Sequence, residues 1–298
     1  MRERGGPTIA DALDDAAQRL AGVGVAEAGR EARALWATVA GATLGDVWLG
    51  RHRAPAPDVA RHFGEAVERR ANGAPFAYAT GKTHFRTLEL AIDRRALIPR
   101  PETEGLVDLV LRMLGATGNG QRATAGTVAD IGAGCGCIAL SLAVEGAFDR
   151  VIAVERAPAA ATLARENLAR VQPPVPVEIR EGDLLAPLAG ERVRAIVSNP
   201  PYLTDAEYLD LDPAVRLWEP REALASGPDG LDATRALLAG ARGAGLLEPG
   251  GFLALEIDER RADAVRTLAC AYHWPRVAVY DDLFGRPRYL LAGLEEDA

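Results

Sequence analysis

Apolar side chains recur at helical spacing through the first quarter of the chain. Ile9, Leu13, Ala16, Ala17 and Leu20 fall on one face, Thr8 stands before them as a candidate N-cap, and Gly22 stops the run. Glu27 to Val39 and Asp58 to Ala71 repeat the pattern, the second starting just after Pro57 with Val59, Phe63 and Val67 on one face. Residues 1–72 are therefore expected to form a small all-helical domain. From Gly73 to Arg100 the period shortens, and the alternation of Phe85-Arg86-Thr87-Leu88-Glu89-Leu90-Ala91-Ile92 predicts a β-hairpin linker over 73–100. Over 101–298 continuous apolar runs alternate with helical patterns. Strands are expected near Thr127 to Ile131, Val151 to Glu155, Val177 to Arg180, Ala195 to Ser198 and Phe252 to Ile257. Strands covered by helices on both faces read as unbroken apolar runs, so an α/β, doubly wound, mostly parallel sheet follows. Two late segments, Val277 to Tyr280 and Arg288 to Leu291, flank the turn-like Leu283-Phe284-Gly285-Arg286-Pro287 and are expected to close the sheet edge as an antiparallel pair.

Composition narrows the class. The 298 residues are 48% hydrophobic and 26% charged, ordinary for a globular protein. No apolar run is long enough for a membrane span, and Met1 to Pro7 carries no apolar signal core, so a cytoplasmic protein is expected. Three cysteines, Cys135, Cys137 and Cys270, fit a reducing compartment. Residues 1–115 hold 16 basic against 15 acidic side chains, and the remainder 18 against 27, so the net charge of -8 is concentrated in the second part. That balance argues against stable nucleic-acid binding.

The first chemical signal is Asp130-Ile131-Gly132-Ala133-Gly134-Cys135-Gly136-Cys137, at the end of the first apolar strand and opening a helix. Glycines there let the backbone approach a ligand, and the helix start offers free N–H groups. Glu155 ends the next strand, 19 residues beyond Gly136, where a carboxylate accepts hydrogen bonds from ribose hydroxyls. Cys137 occupies the slot of the third glycine in the dinucleotide fingerprint, and the G-x-G-x-G spacing resembles that of S-adenosylmethionine methyltransferases instead.

The second signal is Ile196-Val197-Ser198-Asn199-Pro200-Pro201-Tyr202, a strand running into two prolines. Each proline biases its predecessor toward extended conformations and holds Asn199 and the Pro200 carbonyl at the strand's C-terminal end, where open sheets bind ligands. An amide or aromatic amine nitrogen is a poor nucleophile because its lone pair is delocalised. Such a methyl acceptor needs orientation and electrostatic help more than a strong base. The Asn199 side-chain oxygen and the Pro200 carbonyl suit its two N–H groups, and Tyr202 adds an aromatic face for the planar group.

With Leu97-Ile98-Pro99-Arg100-Pro101-Glu102-Thr103-Glu104, Trp218-Glu219-Pro220-Arg221-Glu222-Ala223-Leu224, Asp229-Gly230-Leu231-Asp232, Leu247-Glu248-Pro249-Gly250-Gly251 and Asp281-Asp282-Leu283-Phe284-Gly285-Arg286 in order, the chain resembles the HemK/PrmC family of peptide chain release factor N5-glutamine methyltransferases over about residues 75–292. The resemblance implies a Rossmann-like class I methyltransferase domain with a seven-stranded sheet. It implies transfer of a methyl group from S-adenosyl-L-methionine, leaving S-adenosyl-L-homocysteine, to the glutamine amide of the Gly-Gly-Gln loop of class 1 release factors. By the same resemblance Gly132, Ala133, Gly134, Cys135 and Gly136 line the methionine part of the cofactor and Glu155 holds the ribose. Asp183 and Leu184, placed at the end of the third strand, meet the adenine. Asn199, Pro200, Pro201 and Tyr202 are then the catalytic and substrate-binding residues, with Asn199 also at the cofactor. The resemblance further implies that the helical domain helps to grip the protein substrate and that the enzyme is a monomer.

Several positions depart from the family pattern. Glu155 stands for Asp, Leu184 for an aromatic seen in some members, Cys135 and Cys137 for small or hydroxyl residues, and Asp258-Glu259-Arg260-Arg261 lacks an expected Gly and Gln. A DNA or RNA base N-methyltransferase is the alternative, since it meets the same nitrogen problem, but the acidic second part lacks the basic stripe it needs. A non-catalytic binding protein of this fold is a third reading, which the intact run Asn199 to Tyr202 opposes. No metal is expected: the C-x-C pair has no second pair, and His52, His62, His84 and His273 are scattered. Arg100 suits either the cofactor carboxylate or a structural salt bridge.

Overall fold

A computed structural model describes residues 7–115, 126–243 and 245–295; the leading stretch read above for a signal core lies, up to Gly6, outside them. Contacts divide the chain into two units, residues 1–82 with 213–218, and residues 83–212 with 219–298.

The first unit is helical. Thr8 caps α1 (Ile9–Gly22) through a reciprocal box with Asp11, whose backbone N–H donates to the Thr8 hydroxyl while its carboxylate accepts from the Thr8 N–H. α2 (Ala28–Ala40) buries Ala32, Leu35 and Trp36. α3 (Leu44–Gly50) repeats the capping box with Thr43 and Asp46. α4 (Pro57–Ala71) starts on its proline and buries Phe63, Ala66 and Val67. The Trp36 and Phe63 rings meet edge to face at 4.7 Å. α5 (Phe76–Thr80) follows. The one-turn α5 lies inside the stretch 73–100 expected as a β-hairpin linker, and the two-turn α3 has no counterpart among the expected helices, because so few residues give an apolar face no repeat.

The second unit opens within β1 (Lys82–Phe85), whose first residue belongs to the first unit; β1 pairs with β2 (Leu88–Ala91) in a two-stranded sheet. Then come α6 (Pro101–Met113), β3 (Thr127–Ile131), α7 (Cys137–Glu145), β4 (Arg150–Glu155), α8 (Pro158–Val171), β5 (Val177–Glu181), β6 (Val193–Ser198), α9 (Asp205–Leu209), α10 (Asp232–Gly243), β7 (Leu247–Glu256), α11 (Ala262–Ala271), β8 (Arg276–Asp281) and β9 (Pro287–Gly293). The seven strands β3 to β9 lie in the order β5-β4-β3-β6-β7-β9-β8, parallel except where β9 runs antiparallel to both its neighbours. This is the doubly wound sheet expected from the apolar runs, with the late pair closing its edge. β7 begins five residues earlier than expected. Its pairing with β6 jumps from Val193↔Leu247 to Ala195↔Phe252, so the Pro-Gly-Gly stretch bulges out of the ladder without ending the strand. Ile131, Ile152, Val154, Ile196, Leu253 and Leu255 form the buried centre.

The connections position the site. From β3 the chain winds through β4 to β5 on one side and through β6 to β7 on the other, so the winding direction reverses between β3 and β6. At such a switch point the loops leave in opposite directions and open a crevice at the carboxyl ends of the strands. Ile131 is in register with Val154 and with Ser198, which brings the glycine loop, Glu155 and Asn199 to one edge.

Candidate active site

A cavity of about 420 Å³ opens at this edge. Gly132, Gly134, Glu155, Asp183, Leu184, Asn199 and Pro201 of the expected residues line it.

On one side the backbone does the holding. The Gly132 and Ala133 N–H groups donate to the Val154 carbonyl, at 2.8 and 3.0 Å, so the loop turns back across β4 as it leaves β3. Gly132 has φ +75°, and a Cβ built on it meets nothing within 4 Å: it would project into open space where L side chains are strained. Glu155 accepts from Gly134 N at 2.8 Å on one oxygen and from Ala157 N at 2.7 Å on the other. Each carboxylate oxygen has two acceptor directions, so one per oxygen is still available on a group that lines the cavity. An adenosyl cofactor fits this cradle: open space over a glycine, and a carboxylate fixed at both oxygens beside it.

Ala133, Cys135 and Gly136 do not line the cavity. Ala133 and Cys135 are buried, and Gly136 precedes α7 with its α-carbon toward Leu140 and Ala164. Their part is to shape the loop. Asn167 of α8, fully buried, accepts from Ala91 N at 2.7 Å and donates to Ala91 O at 3.0 Å and Cys135 O at 2.9 Å, tying the loop to β2. Nothing in its local sequence singles it out. Beneath the loop, Asp130 accepts from Ala139 N at 3.0 Å; burial, and then the nearby Glu155 charge, push its carboxyl up to about 7. The Cys137 thiol is pushed well above its ordinary value by its hydrogen bond with Cys135 and by burial, so it stays protonated. Among the described residues no three His, Cys, Asp or Glu side chains are grouped to hold a metal ion. Asp183 and Leu184 follow β5, which stops at Glu181, and lie in the turn after the strand rather than at its end; Leu184 takes the left-handed φ of +46° there.

On the other side side chains do the holding. Ser198 Oγ donates to the Ile131 carbonyl at 2.6 Å and pins the end of β6 to the end of β3. Asn199 follows, and its Nδ2 donates to Thr103 Oγ1 at 3.0 Å, while Thr103 Oγ1 donates to Glu256 Oε2 at 2.7 Å. Burial pushes the Glu256 carboxyl up to about 7. Thr103 lies in the motif Leu97 to Glu104 and Glu256 in the expected strand Phe252 to Ile257, and the sequence assigns neither a role. Pro200 is buried and Tyr202 half-buried, and neither lines the cavity, unlike Asn199 and Pro201. Burial, with the Glu256 charge adding to it, pushes the Tyr202 phenol up to about 12, which keeps it neutral and rules it out as a base at neutral pH.

The segment after Tyr202 is clamped from two directions. Leu203 N donates to Leu224 O at 2.9 Å and Ser226 N to Leu203 O at 2.8 Å. Arg261 donates from Nε to Asp229 O at 2.9 Å and from Nη2 to Glu207 Oε2 at 2.6 Å. Asp258 accepts from Arg260 N at 2.8 Å and pairs with Arg261 at 3.0 Å. The stretch that lacks the expected Gly and Gln is thus a cluster of ion pairs holding α9 and the Asp229-Gly230 turn. Arg100 pairs with the buried Glu219 at 2.6 Å and does not line the cavity, which selects the structural salt bridge.

Comparison with known proteins identifies the family and the fold. Residues 11–81 match the PrmC N-terminal domain model and residues 108–216 the Methyltransferase small domain model. The release factor glutamine methyltransferase of Moorella thermoacetica is 41% identical over 97% of this chain and 100% of its own length. Those of Cereibacter sphaeroides and Deinococcus radiodurans are 40% and 38% identical, each covering at least 95% of this chain and 98% of their own. The crystal structure of a methyltransferase from Pyrococcus furiosus, 18% identical, superposes with a TM-score of 0.51 over 70% of this chain and 90% of that one, which shows the shared fold.

Proposed function

The chain belongs to the family of release factor glutamine methyltransferases, and from that premise we propose that it transfers the methyl group of S-adenosyl-L-methionine to the side-chain amide nitrogen of the glutamine in the Gly-Gly-Gln loop of class 1 release factors. The observation that carries this reading is the Asn199 side chain, which lines the cavity with its NH2 turned to Thr103 and its oxygen accepting from no donor among the described residues.

S-adenosyl-L-methionine, when bound, supplies the electrophilic methyl group. Gly132, Gly134 and the spare acceptor directions of Glu155 would hold it, and Asp183 and Leu184 of the same cavity would contact its adenine part. Asn199 Oδ1 and the Pro200 carbonyl accept the two N–H groups of the substrate amide and fix the plane in which its nitrogen presents a lone pair. As nitrogen gains positive charge, the same two oxygens stabilise it without reorganising. The neutral Tyr202 ring covers the amide, and Pro201 keeps the segment extended. No strong base is required, because the product nitrogen carries the surplus proton and releases it to water.

Residues 1–72 serve as the part that recognises the protein substrate, 73–100 as the hairpin linker and 101–298 as the catalytic domain. The net charge of the second part supports a protein acceptor over a nucleic acid. The enzyme acts as a cytoplasmic monomer. Among the described residues no helix is long and apolar enough to cross a membrane.

The test is methyl transfer from labelled S-adenosyl-L-methionine to purified release factor, to its loop Gln→Ala variant and to a DNA duplex, followed by peptide mass mapping. Label on the wild-type factor alone, at the loop glutamine, is expected. Label on the duplex would move the assignment to base methylation.

A further inference from the structure

An asparagine amide can face a substrate with either end, and only its oxygen accepts from a glutamine N–H group. Something must therefore choose the end. Prolines on the C-terminal side restrict the backbone of Asn199 but leave rotation of its terminal amide open.

The choice is made by two residues far away in sequence. Thr103 is the third residue of α6 and Glu256 the last of β7, and they are 2% and 1% exposed. The first turn of α6 is fixed: the Tyr289 hydroxyl donates to the Glu102 carbonyl at 2.6 Å, and Gly105 leaves room for that ring, since a Cβ there would lie 2.2 Å from the hydroxyl oxygen. Thr103 has one hydroxyl proton. A carboxylate only accepts, so that proton goes to Glu256 and the threonine oxygen is left to accept from the Asn199 NH2. The Asn199 oxygen then faces the other way.

We infer that Thr103 and Glu256 are positioning residues for methyl transfer, the Glu256 carboxylate setting the direction of the Glu256–Thr103–Asn199 hydrogen-bond chain so that the acceptor oxygen of Asn199 meets the substrate nitrogen. This rests on the glutamine-methylation reading above and adds to it what orients the acceptor.

The surroundings of Glu256 make the device sensitive to pH. Thr103 and Glu102 approach from α6 and Arg100 from the residue before it, Arg288 and Tyr289 from β9, and Tyr202 from the segment after β6. Burial outweighs the Thr103 hydrogen bond and the two arginines and raises the carboxyl to about 7. Once protonated, Glu256 donates to Thr103, the threonine proton is released toward Asn199, and the amide turns its NH2 to the substrate. Turnover is therefore lost as pH falls through about 7 and recovered above it.

The test compares wild type, Thr103→Val, Thr103→Ser and Glu256→Gln. Turnover and KM for release factor are measured against pH, cofactor affinity by calorimetry, and the Glu256 carboxyl carbon by NMR titration. Thr103→Val is expected to lower turnover by about 10- to 100-fold at saturating release factor with cofactor affinity unchanged. Thr103→Ser, which keeps the hydroxyl, stays within about threefold of wild type by the same argument. Glu256→Gln, whose amide donates or accepts equally well, has lowered turnover and no acid limb. Wild-type turnover in Thr103→Val, equal losses in Thr103→Val and Thr103→Ser, or an acid limb retained by Glu256→Gln would each overturn the inference. If Thr103→Val fails to fold, the acid limb of Glu256→Gln decides. An inactive wild type would instead count against the glutamine-methylation reading itself.

Discussion

At the proposed cofactor end of the cavity Glu155 is gripped by the N–H groups of Gly134 and Ala157, whereas at the proposed acceptor end Asn199 is gripped by Thr103, 96 residues away, which in turn leans on Glu256, 153 residues beyond Thr103. Backbone donors come with the turn itself and carry no titratable proton. Side-chain donors depend on which residues two remote segments present and on the charge one of them carries. The difference separates two kinds of sensitivity. Substitutions at the cofactor end are expected to change affinity, and those at the acceptor end to change turnover.

Asn199→Ala is the strongest way to break that comparison. It removes one of the two oxygens proposed to meet the substrate amide and is expected to cut turnover by a factor on the order of a hundred or more. Calorimetry with S-adenosyl-L-methionine should show affinity close to wild type. Equal losses in affinity and turnover would mean that the two ends are not separable. Glu155→Ala is the mirror experiment: loss of a charged partner should weaken cofactor binding by about 1 to 3 kcal/mol, or about 5- to 150-fold, with turnover at saturating cofactor much less affected. Unchanged affinity would remove Glu155 from the ribose.

Gly230→Ala reaches the acceptor end through packing alone. Gly230 has φ +77°, and a Cβ there would stand 2.4 Å from the Tyr202 carbonyl oxygen and 2.9 Å from Arg261 Nε. Strain at positive φ costs about 1 to 2 kcal/mol, and the carbonyl must shift as well. Turnover is expected to fall by about tenfold because Asn199 and Pro200 move with Tyr202. A melting scan separates this from unfolding, and a variant that melts lower yet turns over normally would show that the segment tolerates displacement.

The sheet was legible because its buried strands are continuous apolar runs bounded by glycine and proline, and the two ends of the cavity because Gly132 to Gly136 and Asn199 to Tyr202 each compress their signal into a few residues. What connects those ends was not legible. Thr103 is an ordinary residue in a first helical turn and Glu256 an ordinary residue at the end of an apolar strand, and only the folded chain brings them within 2.7 Å. Asn167 is the same kind of case, since its three partners lie in β2 and the glycine loop. The stretch Asp258 to Arg261 was read through what it lacks, a glycine and a glutamine, while what it has, pairings with Glu207 and Asp229, is visible only once α9 and the Asp229-Gly230 turn are placed. Motifs show where chemistry happens, and long-range side-chain pairs show how it is held.

The mildest test sharpens the comparison from the cofactor end. Leu184 lines the cavity in the turn after β5, with its backbone at φ +46° and its side chain against the sheet core. At this proposed adenine position leucine offers apolar area but no ring face. Leu184→Phe should add an offset stack, and since leucine already excludes water there, the gain is expected near the lower end of the about 0.5 to 1.5 kcal/mol that aromatic pairs contribute beyond burial. That corresponds to about a two- to fivefold tighter cofactor. Neither side chain is better suited to a positive φ, so the melting temperature should hardly change. Turnover at saturating cofactor should not move either, because nothing in the Glu256–Thr103–Asn199 chain is touched. Weaker binding would mean that the adenine lies elsewhere or that the turn has no room for a ring, whereas tighter binding with altered turnover would show that the two ends of the cavity communicate after all.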